Sequence, residues 1–151
     1  MSKFLNNYWY VAANSEELKD KPIARIILGN PIVLFRGKSG KIGALDDRCA
    51  HRLTPLSLGR IDGDWLECGY HGWTYDCAGK CVRLPGLETP QKITVKSFPL
   101  VEKWGWVFIW MGDPERADDN TLPDFHVMGE EKWVGDGGML RVEAHCDLIR
   151  D

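Results

Sequence analysis

Cys49-Ala50-His51 and Cys68-Gly69-Tyr70-His71, two short pairs of metal-binding side chains with sixteen residues between them, organise this sequence. Two thiolates and two imidazoles delivered this way suit a [2Fe–2S] centre, with Cys49 and Cys68 on one iron and His51 and His71 on the other. The same donors also make a closed tetrahedral zinc set, in which paired ligands usually stand roughly two to five residues apart. The single residue between Cys49 and His51 is tight for one tetrahedral ion. A two-iron centre relieves that, because the members of each pair then bind different metals. A zinc-binding structural module and an unmetallated role stay open at this point.

The neighbours of the four ligands read as support. Pro55, Gly59, Gly69 and Gly72 are small or pre-shaped residues that let backbone N–H groups approach bridging sulfides, and Trp73 and Tyr75 are placed to keep water from them. Around this site the chain reads as all-β. Runs rich in β-branched and aromatic residues recur at Tyr8 to Ala12, Ala24 to Leu28, Ile32 to Arg36, Ile42 to Leu45, Trp65 to Cys68, Thr74 to Tyr75, Val95 to Ser97 and Trp106 to Trp110. Gly29-Asn30-Pro31, Gly37-Lys38-Ser39-Gly40 and Asp62-Gly63-Asp64 supply turns, and Glu16-Glu17-Leu18 after Asn14-Ser15 reads as a brief capped helical turn. Many short strands predict a small sandwich or barrel. The loops from Asp47 to Leu58 and from Gly69 to Trp73 then form adjacent fingers at one end of it.

Composition sets the outer bounds. A chain of 151 residues, 44% hydrophobic, supports one domain with a real core. Nineteen basic against 22 acidic residues give a net charge of −3, which argues against a nucleic-acid or anionic-membrane partner. No apolar run has the length of a membrane span and no signal h-region follows Met1-Ser2-Lys3, so the cytoplasm is the expected compartment. Five cysteines there point to metal or redox chemistry more than to a disulfide framework. Cys77 and Cys81 flank a Gly79 turn with no further ligand nearby and read as small thiols on a hairpin; Cys146 reads as a buried small hydrophobe.

Cys-x-His, the sixteen-residue gap and Cys-x-x-His-Gly-Trp resemble the Rieske domain of bacterial aromatic ring-hydroxylating oxygenases, and among these the demethylases and side-chain monooxygenases acting on vanillate, dicamba and toluenesulfonate. The likeness runs from about residue 7 to 116. It is carried also by Asn7 to Ala12, His51-Arg52 with Pro55 to Gly59, Leu84-Pro85-Gly86, Lys96 to Pro99 and Ile109 to Pro114. Neither ligand loop holds the additional cysteine of the respiratory Rieske proteins: Thr54 follows Leu53 in the first, and Gly69 lies between Cys68 and Tyr70 in the second.

The resemblance implies a Rieske domain over residues 1–112, then a connector and the beginning of a truncated catalytic domain over 113–151. It implies electron transfer from a reductase or ferredoxin to a mononuclear Fe(II), in a trimer, for hydroxylation or demethylation of an aromatic substrate. Val142 to Asp151 resembles the lead-in to the motif that holds that iron, but none of its ligands is present, and His145 with Asp151 does not match its spacing. His126 reads as a surface residue. A self-contained Rieske ferredoxin is the rival expectation, and the stretch from Asp113 to Asp151 exceeds what one requires. High-potential relatives carry a serine where this chain has Trp73, so the expected potential lies in the lower part of the Rieske range, roughly −150 to +300 mV.

Overall fold

The computed structural model describes residues 4–86, 92–134 and 140–144. Among them, regular structure consists of ten strands in three antiparallel sheets and of short 3-10 turns, with no α-helix. In the first sheet β1 (Tyr8–Asn14) pairs with β10 (Trp106–Met111), which pairs with β9 (Leu100–Lys103). The second is β2 (Ile23–Ile27), β3 (Asn30–Arg36) and β4 (Ile42–Asp46). The third, β5 (Arg60–Asp62), β6 (Trp65–Glu67), β7 (Thr74–Tyr75) and β8 (Cys81–Arg83), carries the second ligand pair at the β6–β7 connection.

Strand β3 explains how the sheets assemble. Ile32-Val33-Leu34-Phe35 is apolar at every position and wholly buried, the pattern of a strand covered on both faces. Ile32 and Leu34, with Ala44 of β4, pack against Ala12, Ala13, Val107, Ile109 and Met111 of the first sheet. Val33 and Phe35, with Leu45 of β4, point the other way into a core shared with Leu66, Tyr75, Cys81, Leu56, Cys49 and Cys68. The middle sheet is thus a common wall, and Cys49 and Cys68, the candidate ligand cysteines, belong to the core on one side of it.

Seven of the eight expected strands are present, most with shifted ends, and three more appear: β5, β8 and β9. The predicted strand from Val95 to Ser97 is not one. Val95 N–H donates to Gly79 O (2.8 Å) while Lys96 O accepts from Asp46 N–H (2.8 Å), so this segment divides its hydrogen bonds between two sheets and forms only single bridges. The capped turn is real: Asn14 Oδ1 accepts from Glu16 N–H (3.1 Å) and Glu17 returns a carboxylate to Asn14 N–H (2.7 Å).

After β10, residues 113–129 do not depart at once. Trp9 Nε1–H donates to Asp118 O (2.9 Å), Lys103 pairs with Asp119 (3.3 Å) and Phe125 meets Trp104 edge-on at 6.0 Å, so this stretch runs along the first sheet. His126 is exposed and pairs with Asp124 (2.9 Å), as its surface reading requires. His145, Cys146 and Asp151 lie outside the described residues.

The first and second sheets are also joined by a two-pronged ion pair. Arg36 donates from Nη1 and Nη2 to the Glu102 carboxylate at 3.0 and 2.6 Å. This donation holds the Glu102 carboxyl below the usual glutamate range, against an opposing effect of desolvation. Because the folded-state value is depressed, the stabilisation is complete above the unfolded value and lost as pH falls through the folded one. Glu102→Gln is expected to cost about 1 kcal/mol at pH 7, after discounting for the solvent exposure of both side chains, and less at pH 3. Urea unfolding at the two pH values checks this.

Candidate metal centre

The first loop leaves β4 and folds on itself: Cys49 N–H donates to Thr54 O and Leu53 N–H to Cys49 O, both at 2.9 Å. Leu53 takes a left-handed backbone (φ +57°) at the exposed tip. In the second loop Cys68 N–H donates to Trp73 O (2.8 Å) and Gly72 N–H to Cys68 O (3.1 Å), with Gly72 left-handed at φ +71°. Two of the glycines have a different use from the one expected of them. A Cβ on Gly59 would lie 2.0 Å from Glu67 O, and one on Gly69 would lie 2.9 Å from Leu58 O. These glycines let the bases of the two loops touch, which brings the ligand pairs side by side.

On the core side the site presents sulfur. Cys49 and Cys68 are buried among Leu56, Leu66, Leu84 and Val95. Burial pushes the Cys68 thiol up, as does the neighbouring Cys49, while the backbone N–H groups of Tyr70 and His71 donate to its sulfur and oppose the rise. Tyr75 is fully buried. Its hydroxyl accepts from Ala50 N–H (3.2 Å) and lies 3.3 Å from Cys49 Sγ, so its own hydrogen is free to be donated to that sulfur. Burial, then Cys49, pushes the Tyr75 phenol far above its ordinary value, so it remains a donor. Sequence reasoning gave Tyr75 only a shielding role and missed this donor.

On the solvent side the site presents nitrogen. The exposed His51 and His71 rings lie 4.6 Å apart, centroid to centroid, tilted by 60°. His51 stacks on Trp73 at 4.6 Å and 5°, and His71 leans on Tyr70 at 3.8 Å and 42°. Desolvation, then the charges of His71 and Arg52, hold the His51 imidazolium below its ordinary value. That favours the neutral ring, the form that ligates metal.

The four residues singled out in the sequence therefore come together. Among the described residues, no three His, Cys, Asp or Glu side chains converge where a single metal ion would sit. The donors aimed at the two buried sulfurs fit a group that demands thiolates in a water-poor core. Cys77 and Cys81 are free thiols on the β7–β8 hairpin, as expected.

Comparison with known proteins agrees. The family model described as "Rieske [2Fe-2S] domain" matches residues 8–99. A putative toluene-4-sulfonate monooxygenase system iron-sulfur subunit of Comamonas testosteroni is 43% identical over 97% of this chain and 43% of its own length. The oxygenase component of dicamba O-demethylase from Stenotrophomonas maltophilia is 41% identical over 98% of this chain and 44% of its own. A crystal structure of dicamba monooxygenase bound to dicamba superposes with a TM-score of 0.81 at 43% identity, over 85% of this chain and 39% of that one. The chain thus spans less than half the length of these relatives. With the ligand pairs, the three-sheet architecture and the family match in agreement, this chain belongs to the Rieske [2Fe–2S] domain family.

Proposed function

We propose that Cys49 and Cys68 hold one iron of a [2Fe–2S] cluster and His51 and His71 the other, and that this chain is the electron-entry domain of an oxygenase component. The observation that carries the reading is the polarity of the site: buried sulfurs with N–H and O–H donors aimed at them, and paired imidazoles exposed to solvent. When bound, the cluster takes up and returns one electron at a time. Tyr70 N–H, His71 N–H and the Tyr75 hydroxyl stabilise negative charge on the sulfurs. Bound through one ring nitrogen each, His51 and His71 would present the other to solvent, where a partner can reach it. Around them Leu53 and Tyr70, 69% and 62% exposed, offer an apolar rim against which a redox partner can exclude water.

In this reading residues 1–112 are the Rieske domain, and 113–151 are a connector and the beginning of a catalytic domain. A reductase or ferredoxin supplies electrons. They pass to a mononuclear Fe(II) held by residues after Asp151, in a trimer with neighbouring subunits, for hydroxylation or demethylation of an aromatic substrate in the cytoplasm. The names of the relatives and their more than twofold greater length support this. No helix among the described residues is long and apolar enough to cross a membrane.

The test has two parts. The natural gene product is expected to exceed twice the 17.2 kDa of this chain, and the cluster-loaded chain to accept one electron per cluster from an NADH-dependent reductase. A product near 17.2 kDa would instead make the protein a free Rieske electron carrier. Failure to take up an electron would remove both readings.

Tyr75→Phe offers a finer check. Removing a hydrogen bond to a thiolate forfeits about 1 kcal/mol or more of preference for the more negative, reduced state. At 59 mV per 1.4 kcal/mol for one electron, the midpoint potential is expected to fall by about 40 mV or more in a spectroelectrochemical titration.

A further inference from the structure

Asp47 and Glu67 are the only buried carboxylates among the described residues, and each stands just ahead of a ligand cysteine. They are held by different chemistry. Glu67 lies between Arg60 and Arg83, the latter 2.6 Å away. The carboxylate of Asp47 has no cationic partner in any ion pair of the described residues. Both its oxygens are taken by one residue, Ser57, whose N–H donates to Oδ1 at 2.7 Å and whose hydroxyl donates to Oδ2 at 2.6 Å. Asp47 N–H in turn donates to Pro31 O of β3 at 3.0 Å. Ten residues separate the two partners, and Cys49 and His51 both lie between them.

We infer that Asp47 and Ser57 are positioning residues that latch the first ligand loop shut and bias its metal centre toward the oxidised state. The inference rests on the reading of Cys49 and His51 as ligands. The backbone bonds inside the loop, Cys49 to Thr54, Leu53 to Cys49 and Leu58 to Pro55, are all local and the tip is solvent-exposed, so the latch is the side-chain tie between the loop's two ends. Next to it Leu56 is fully buried, which fixes Ser57 to the core. The Asp47 carboxylate, buried and held only by the neutral donors of Ser57, has no cation beside it to offset its charge two residues from Cys49. At Glu67 the two guanidinium groups offset the charge. Asp47 therefore opposes addition of an electron at the neighbouring cluster in a way Glu67 does not.

Asp47→Asn, Ser57→Ala and Ser57→Thr in the cluster-loaded chain test this, by spectroelectrochemical titration and by the rate at which iron is lost to a ferrous chelator. Asp47→Asn is expected to shift the reduced-to-oxidised ratio at fixed potential about tenfold toward reduced, equivalent to about 59 mV, and to speed iron loss about tenfold. Ser57→Ala is expected to speed iron loss by a similar factor without raising the potential, and Ser57→Thr, which keeps the hydroxyl, to restore the parent rate. Should Asp47→Asn not fold, the serine pair decides on iron loss alone. Iron loss at the parent rate in Ser57→Ala, or an unchanged potential in a folded Asp47→Asn, would overturn the latch while leaving the cluster assignment standing. A parent chain that holds no cluster would overturn the assignment itself.

Discussion

Cys68→Ser is expected to give a folded chain that holds no cluster. A serine hydroxyl is a hard donor that stays protonated where a thiol coordinated to iron does not, so the site loses a soft anionic ligand. The neighbouring carboxylate of Glu67 does not replace it, being held by Arg60 and Arg83. Iron affinity should drop by at least about a hundredfold, the upper end of what loss of a supporting residue alone costs. His71→Ala should do the same from the solvent side. Its ring is exposed and leans on Tyr70, so the apo fold does not depend on it. Far-UV circular dichroism should remain close to that of the parent apo chain in both variants, while the visible charge-transfer absorbance disappears. Retention of that absorbance in His71→Ala would remove it from the ligand set.

Gly59→Ala is expected to destabilise the fold by about 3 kcal/mol or more. Gly59 has an ordinary extended backbone (φ −85°), so the cost is spatial and not conformational. A Cβ would meet Glu67 O at 2.0 Å and Leu56 O at 2.9 Å, and both are backbone atoms. Relief requires moving β5 away from β6 at Arg60 and Glu67, the pair that bridges the bases of the two loops. For a domain of this size the thermal midpoint should fall by about 10 °C or more. Gly63→Ala is the control. It has φ +63° but nothing within 4 Å of an added Cβ, so only backbone strain of about 1 kcal/mol is expected. Equal losses in the two variants would mean that the loop bases do not meet as described.

The candidate metal site was legible in the sequence because its chemistry dictates residue types and close spacings. Cys49, His51, Cys68 and His71 admit few other readings, and the fold follows from where the two loops must hang. Strands β3 and β10 were legible for a related reason: an apolar run such as Ile32 to Phe35 or Val107 to Ile109 has no solvent face to declare. The strands that escaped are short and charged. Arg60-Ile61-Asp62 and Leu100-Val101-Glu102-Lys103 carry side chains that pair across strands, Arg60 with Glu67 and Glu102 with Arg36, and those pairings are invisible in one dimension. The same limit hid the Tyr75 hydroxyl, whose role depends on Cys49, 26 residues away, and the clasp of Asp47 by Ser57. Gly59 and Gly69 were recognised as significant, but their neighbours, each on the other loop or its supporting strand, had to be seen.

Iron, zinc and acid-labile sulfide, measured on anaerobically purified chain, test the central claim most directly. Two irons and two sulfides per chain, with no stoichiometric zinc, are expected. Zinc at one per chain without sulfide would contradict the two-iron assignment and the electron-transfer role with it.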